Sequence, residues 1–214
     1  VTCLVGKNES GKSAILEALY KLNPLEQQNS RFDEVEEYPR FQLSDYQDMV
    51  KKDKANTFDQ VLTTTWELTD EDRQAIREQL GIDPLSSSKV ILEKGYSNTL
   101  RWHIEIEEAD LVKSYVDQAG LYKEEADSLD GVTRVGDLVA ALKSVSEPSE
   151  RQKALLANLN AAFPQADAVK AITDILVKRL PRFLYFSDYY RMSGQVALSQ
   201  LTTNKASISQ KDRV

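Results

Sequence analysis

The residues Gly6-Lys7-Asn8-Glu9-Ser10-Gly11-Lys12-Ser13 follow the pattern G-x-x-x-x-G-K-[ST]. They stand between the apolar run Val1-Thr2-Cys3-Leu4-Val5 and a segment in which Ile15, Leu16, Leu19 and Leu22 recur at helical spacing. Asn23-Pro24 stops that helical pattern. A strand, a glycine-containing loop and a helix in so short a stretch constrain the fold strongly, because few architectures place such a turn between a buried strand and a helix. Glycines allow successive backbone N–H groups to turn inward around an anion, and the amino end of the helix adds partial positive charge. Lys12 then reads as a mobile cation for the β and γ phosphates of a nucleotide, and the Ser13 hydroxyl as a ligand of Mg²⁺. The expected nucleotide-binding set is Asn8, Glu9, Ser10, Gly11, Lys12, Ser13 and Ala14, with ATP and Mg²⁺ as the expected cofactors. The competing reading is a glycine-rich turn that merely joins strand to helix.

Composition narrows the remaining choices. The 214 residues are 41% hydrophobic, enough for one sizeable core or for a core and a smaller insertion. The 34 acids against 27 Lys and Arg leave a net charge of −7, so the average surface repels phosphate backbones and nucleic-acid contact requires a local patch. The best local groups are Lys51, Lys52 and Lys54, and Lys178, Arg179 and Arg182. No apolar stretch approaches the ~18 residues of a membrane span and no leader pattern is found, so a cytoplasmic protein is the default expectation. The single cysteine, Cys3, lies in the apolar run and reads as a small core residue. Because Val1 stands inside the expected strand, residues preceding it are expected as well.

Residues 25–57 are polar and lack a sustained period, which predicts a long surface loop with one short helix. Within it, Asp33, Glu34, Glu36 and Glu37 form an acidic cluster better read as a solvated loop than as a metal site. Leu62, Thr64, Trp66 and Leu68 then alternate with polar residues, the period of a half-buried strand. Thr69 and Asp72 have the spacing of a capping box, opening a helix that Gly81 closes.

Residues 89–94 and 99–107 flank Gly95-Tyr96-Ser97-Asn98 and predict a hairpin. In the second run Leu100, Trp102, Ile104 and Ile106 share one face, which puts the sole histidine, His103, on the polar face as a solvated side chain rather than a catalytic base. From residue 108 to 180 the period is helical. Four stripes end at Gly120, Pro148, Pro164 and Pro181, which predicts a self-packed helical subdomain. Residues 183–186 then read as a strand returning to a sheet, followed by a polar tail.

The stretch from Leu4 to Leu19, and above all the Asn8-Glu9-Ser10 loop interior, resembles the ATP-binding cassette type ATPases of the SMC, RecF and OLD (overcoming lysogenisation defect) group. Pro181-Arg182-Phe183-Leu184-Tyr185-Phe186 with Asp188-Tyr189-Tyr190 is similar to the strand after the helical insertion of OLD-like members. The resemblance implies an α/β P-loop NTPase fold of the ABC ATPase type, with antiparallel strands and an all-helical insertion. It divides the chain into a nucleotide-binding lobe at 1–107, a helical insertion at 108–180 and a returning strand with an incomplete tail at 181–214. It also implies ATP-driven homodimerisation and hydrolysis, action on DNA in repair or anti-phage defence, and a nuclease domain or partner.

Hydrolysis in that group needs an acidic pair at the end of a Walker B strand and an LSGGQ-like signature. Here Ser187-Asp188-Tyr189 follows the apolar run in place of the pair, leaving Asp188 as the candidate metal ligand. Met192-Ser193-Gly194-Gln195 imitates part of the signature but directly follows a predicted strand, so it reads as a turn. Two other classes stay open: a nucleotide-dependent protein-interaction module with little turnover, and a P-loop kinase. A GTPase is disfavoured, since the N-K-x-D guanine motif is missing.

Overall fold

A computed structural model describes residues 3–26, 30–52 and 60–185. Their contacts divide the chain into two units, one of residues 31–181 and one of residues 1–30 with 182–214. Among the described residues the fold is α/β, with a three-stranded antiparallel sheet and nine helices.

The larger unit begins with α2 (Glu34–Glu37) and α3 (Leu43–Lys52), two helices where the sequence predicted a loop with one. Aromatic side chains explain the extra order. Tyr46 on α3 is buried, stacks on Tyr38 at 4.4 Å and meets Tyr96 edge-on at 6.0 Å, while Phe32 lies 6.4 Å from Tyr96. Asn98 clamps the same place: its Oδ1 accepts from the Phe32 N–H at 2.8 Å and its Nδ2 donates to the Phe32 and Tyr96 carbonyls, each at 2.9 Å. Asn98 has a φ of 58°, a left-handed conformation that asparagine tolerates well.

Strands β1 (Gln60–Glu67), β2 (Lys89–Gly95) and β3 (Leu100–His103) pair in the order β1-β2-β3. Leu62, Thr64 and Trp66 are half-buried while their neighbours are exposed, as the alternation predicts. The predicted hairpin forms, with Lys94 opposite Leu100 and Ile91 opposite His103. Its second strand is shorter than residues 99–107. Beyond His103 the chain leaves β2 and pairs with residues 84–86 instead, through the Leu85–Ile106 bridge and a bond from Glu107 N–H to the Pro84 carbonyl at 2.8 Å.

Helix α4 (Asp70–Leu80) starts in the predicted capping box: Thr69 Oγ1 accepts from the Asp72 N–H at 3.3 Å, and Asp72 Oδ2 accepts from the Thr69 N–H at 2.9 Å. It ends at Gly81, whose φ of 78° is the left-handed conformation a glycine adopts without steric cost. Helices α5 (Glu108–Ala119), α6 (Lys123–Asp127), α7 (Val135–Ser144), α8 (Glu150–Ala162) and α9 (Ala168–Val177) follow. The predicted stripes turn inward. Leu111, Leu138, Leu155, Leu159, Phe163 and Ile172 are buried in one cluster with Ile76, Leu80 and Val90, so α4, β2 and the later helices share a core. Each such side chain contributes about 1.5–3 kcal/mol through burial.

The smaller unit contains α1 (Lys12–Leu22), which matches the helical spacing of Ile15 to Leu22. The returning segment meets it through a parallel bridge between Pro24 and Phe183. Bonds run from Leu25 N–H to the Phe183 carbonyl at 2.8 Å and from Phe183 N–H to the Asn23 carbonyl at 2.9 Å. Two expectations need correction here. Residues 3–5 form no strand, because a strand requires a hydrogen-bonded neighbour and none of the described residues pairs with them; Val5 is 89% exposed. Cys3 is exposed rather than a core residue. No helix among the described residues is long and apolar enough to cross a membrane.

Candidate functional site

The loop before α1 is built from a tight turn and a helix start. Ser10 N–H bonds to the Lys7 carbonyl at 3.3 Å, closing a turn over Asn8 and Glu9. Glu9 has a φ of 64°, whereas Asn8 is not in the positive-φ region, so the turn is of the type II kind, which asks for glycine or asparagine at its third position. Gly11 follows with φ 84° and ψ 7°, and α1 begins at Lys12. Gly6 meets a different constraint. A Cβ there would sit 2.7 Å from Ser10 Oγ, so the Ser10 side chain would have to turn aside.

Lys12 folds back over this turn. Its Nζ donates to the Gly6 carbonyl at 2.9 Å, the Lys7 carbonyl at 2.6 Å and Ser10 Oγ at 3.3 Å. The ammonium therefore sits in the concave side of the loop, tethered by neutral oxygens. The first helical bond of α1 runs from Ile15 N–H to the Gly11 carbonyl at 3.1 Å, so the preceding amides of the first turn have no intrahelical acceptor. Gly11 supplies no side-chain cap, and the first turn carries no acidic residue. Unspent amides, the positive end of the helix dipole and a lysine ammonium thus coincide in one short segment, an arrangement suited to a multiply charged anion. Ser13 is exposed, and its hydroxyl makes no hydrogen bond among the described residues.

The other predicted residues fall elsewhere. Asp33 caps α2, its Oδ1 accepting from Val35 N–H at 2.8 Å and Glu36 N–H at 3.3 Å. Glu34 Oε1 accepts from Gln47 Nε2 at 3.0 Å, so these acids serve helix ends and side-chain contacts. Among the described residues no group of three His, Cys, Asp or Glu is arranged to hold a metal. His103, half exposed, places Nε2 2.9 Å from Glu93 Oε2 on the adjacent strand. Asp188 and residues 192–195 lie outside the described residues. Lys51 and Lys52 are exposed at the end of α3, and Lys54 lies outside the described residues.

Two features escaped the sequence reading. The first is the Phe32, Tyr38, Tyr46, Tyr96 cluster, whose signal was a run of aromatic residues in an otherwise polar stretch. The second is a groove of about 450 Å³ between the end of α4, α5 and α8, lined by Gln79, Leu80, Tyr115, Gln118, Leu155 and Asn158. Among the described residues no charged side chain lines it. Burial pushes the Tyr115 phenol above its usual range, and its ring packs edge-on against Phe163 at 5.5 Å.

A family model described as AAA ATPase domain matches residues 1–206, almost the whole chain. No curated protein and no solved structure matches it significantly.

Proposed function

The chain belongs to the AAA ATPase domain family, and from that membership we propose that residues 6–13 bind the triphosphate of ATP together with Mg²⁺. The observation that carries this reading is the placement of Lys12 Nζ against the Gly6 and Lys7 carbonyls at an uncapped helix start. Neutral carbonyls hold an ammonium more weakly than phosphate oxygens do, so Lys12 is free to turn toward an incoming phosphate chain. The loop amides of Asn8, Glu9 and Gly11 and the helix-start amides of Lys12, Ser13 and Ala14 orient the anion, with the Ser10 hydroxyl beside Lys12 Nζ. The unbonded Ser13 hydroxyl fits a Mg²⁺ ligand, and the metal supplies neutralisation of phosphate charge when bound.

The finer reading is an ATPase of the OLD-like or SMC/RecF-like, ABC-type group, in which ATP holds two copies together and hydrolysis releases them, in the service of DNA repair or anti-phage defence. Its support is the Asn8-Glu9-Ser10 loop interior and the order of loop, antiparallel strands and helices along the chain. Function at this level rests on likeness of fold and motif. Asp188 is the candidate metal-binding acid.

Calorimetric titration of the chain with ATP, with and without Mg²⁺, tests the binding, and light scattering with and without nucleotide tests the dimer. Saturable Mg²⁺-dependent binding is expected. A chain that ignores ATP at millimolar concentration sinks the proposal, and one that binds ATP yet stays monomeric removes the ABC-type refinement alone. The uncharged groove of α4, α5 and α8 favours one second reading, a nucleotide-dependent protein-interaction module, for which binding without appreciable turnover is the expected result.

A further inference from the structure

Three non-glycine residues among those described have a positive φ: Glu9 at 64°, Asn98 at 58° and Ala166 at 52°. For two of them the surroundings offset the cost. Asn98 makes three side-chain bonds to the Phe32 and Tyr96 backbone, and Ala166 closes a turn onto the Phe163 carbonyl at 2.8 Å while packing against the core. Glu9 has no such return. Its side chain is exposed and makes no hydrogen bond or ion pair among the described residues, and it occupies the turn position that suits glycine. It also adds a negative charge to the loop that this reading assigns to a polyphosphate.

We propose that Glu9 is an affinity-lowering residue of the nucleotide loop, which weakens ATP binding both by its charge and by its backbone cost. The inference rests on the assignment of residues 6–13 to nucleotide phosphates. Two independent physical effects act in the same direction. A carboxylate near a highly charged anion raises the energy of the bound state, by an amount that shrinks with added salt. A side chain held at positive φ favours competing turn conformations of the empty loop, and the apparent affinity falls with the fraction of loops in the binding-competent form. A loop of this kind releases its nucleotide readily, which suits a protein that must exchange it.

The variants Glu9→Gln and Glu9→Gly separate the two effects, because glutamine removes only the charge and glycine removes charge and strain together. Titration calorimetry with ATP and Mg²⁺ at roughly 50 and 300 mM salt, with Lys12→Ala as control, reads them. Glu9→Gln is expected to tighten ATP binding about threefold at low salt and less at high salt, and Glu9→Gly about tenfold, keeping its advantage over Glu9→Gln at both salts. Binding by Glu9→Gln and Glu9→Gly that equals or falls below wild type, while Lys12→Ala is impaired, overturns the role of Glu9 and leaves the loop assignment standing. Equal binding by all four proteins, or by none of them, overturns the loop assignment and the inference together.

Discussion

Arg179, just past the end of α9, donates from Nε to Oδ1 of Asp72 at 2.5 Å, joining the close of the helical array to the first turn of α4, 107 positions earlier. The other oxygen of Asp72 is already engaged with Thr69. One carboxylate therefore serves a local capping box and a long-range ion pair, and Arg179, one of the basic residues considered for nucleic acid, is partly neutralised. Asp72→Ala removes both roles and is expected to cost about 1–2 kcal/mol of stability, more than Arg179→Ala, whose half-exposed partner pair alone is worth up to ~1 kcal/mol. Urea unfolding of the three proteins at neutral pH checks the order; equal midpoints for Asp72→Ala and wild type would mean that the box contributes nothing.

The same residue sets an acid limit. Burial raises the Asp72 pKa, but the hydrogen bonds from Arg179 and Thr69 and the Arg179 charge outweigh it and hold the carboxyl below its usual value. A carboxylate whose pKa is depressed by folding contributes stability that is present above its unfolded value, about 4, and is lost as pH falls through the folded value. Wild type and Asp72→Asn should therefore differ most near neutrality and converge as pH drops below about 4. A gap between their denaturation midpoints that stays constant down to pH 3, roughly a unit below the unfolded value, would contradict this assignment.

Lys12→Ala is expected to weaken ATP binding at least ~10-fold, because it deletes the ammonium that the loop carbonyls hold beside the helix start. The melting temperature should change little, since the Lys12 contacts are local to an exposed loop. Calorimetry and thermal melting together separate lost chemistry from lost structure; unchanged affinity would remove Lys12 from the site.

Phe163 is fully buried where α8 ends, and it carries the ring contact with Tyr115. Phe163→Ala should destabilise the larger unit by about 3–5 kcal/mol. Chemical denaturation followed by circular dichroism reads the loss, and a shift under about 1 kcal/mol would show that the helices repack around the vacancy.

Duplex DNA should bind weakly to this chain at roughly 150 mM salt, as its charge is −7 and Arg179 is engaged with Asp72. An electrophoretic shift at that salt is the measurement. Submicromolar binding that strengthens steeply on dilution of salt would reveal a basic surface assembled from Lys51, Lys52 and other dispersed cations.

What the sequence determined by itself was local. The turn and helix start at residues 6–13, the Thr69–Asp72 box, the left-handed glycines at 81 and 120 and the alternation of residues 62–66 follow from steric rules and hydrogen bonds within a few residues, so a short window contains the whole cause. The inward stripes of α5, α7, α8 and α9 were legible for the same reason, because a helix's period sets its apolar face before any partner is known. Tertiary structure decided what depends on a distant partner. Residues 3–5 have strand composition but no neighbouring ladder among the described residues, β3 stops where the chain exchanges β2 for residues 84–86, and α3 gains its order from Tyr38 and Tyr96. Arg179 looked like a free cation until the fold brought it to Asp72, because pairing of charges 107 positions apart is a property of packing and leaves no periodic trace in the chain.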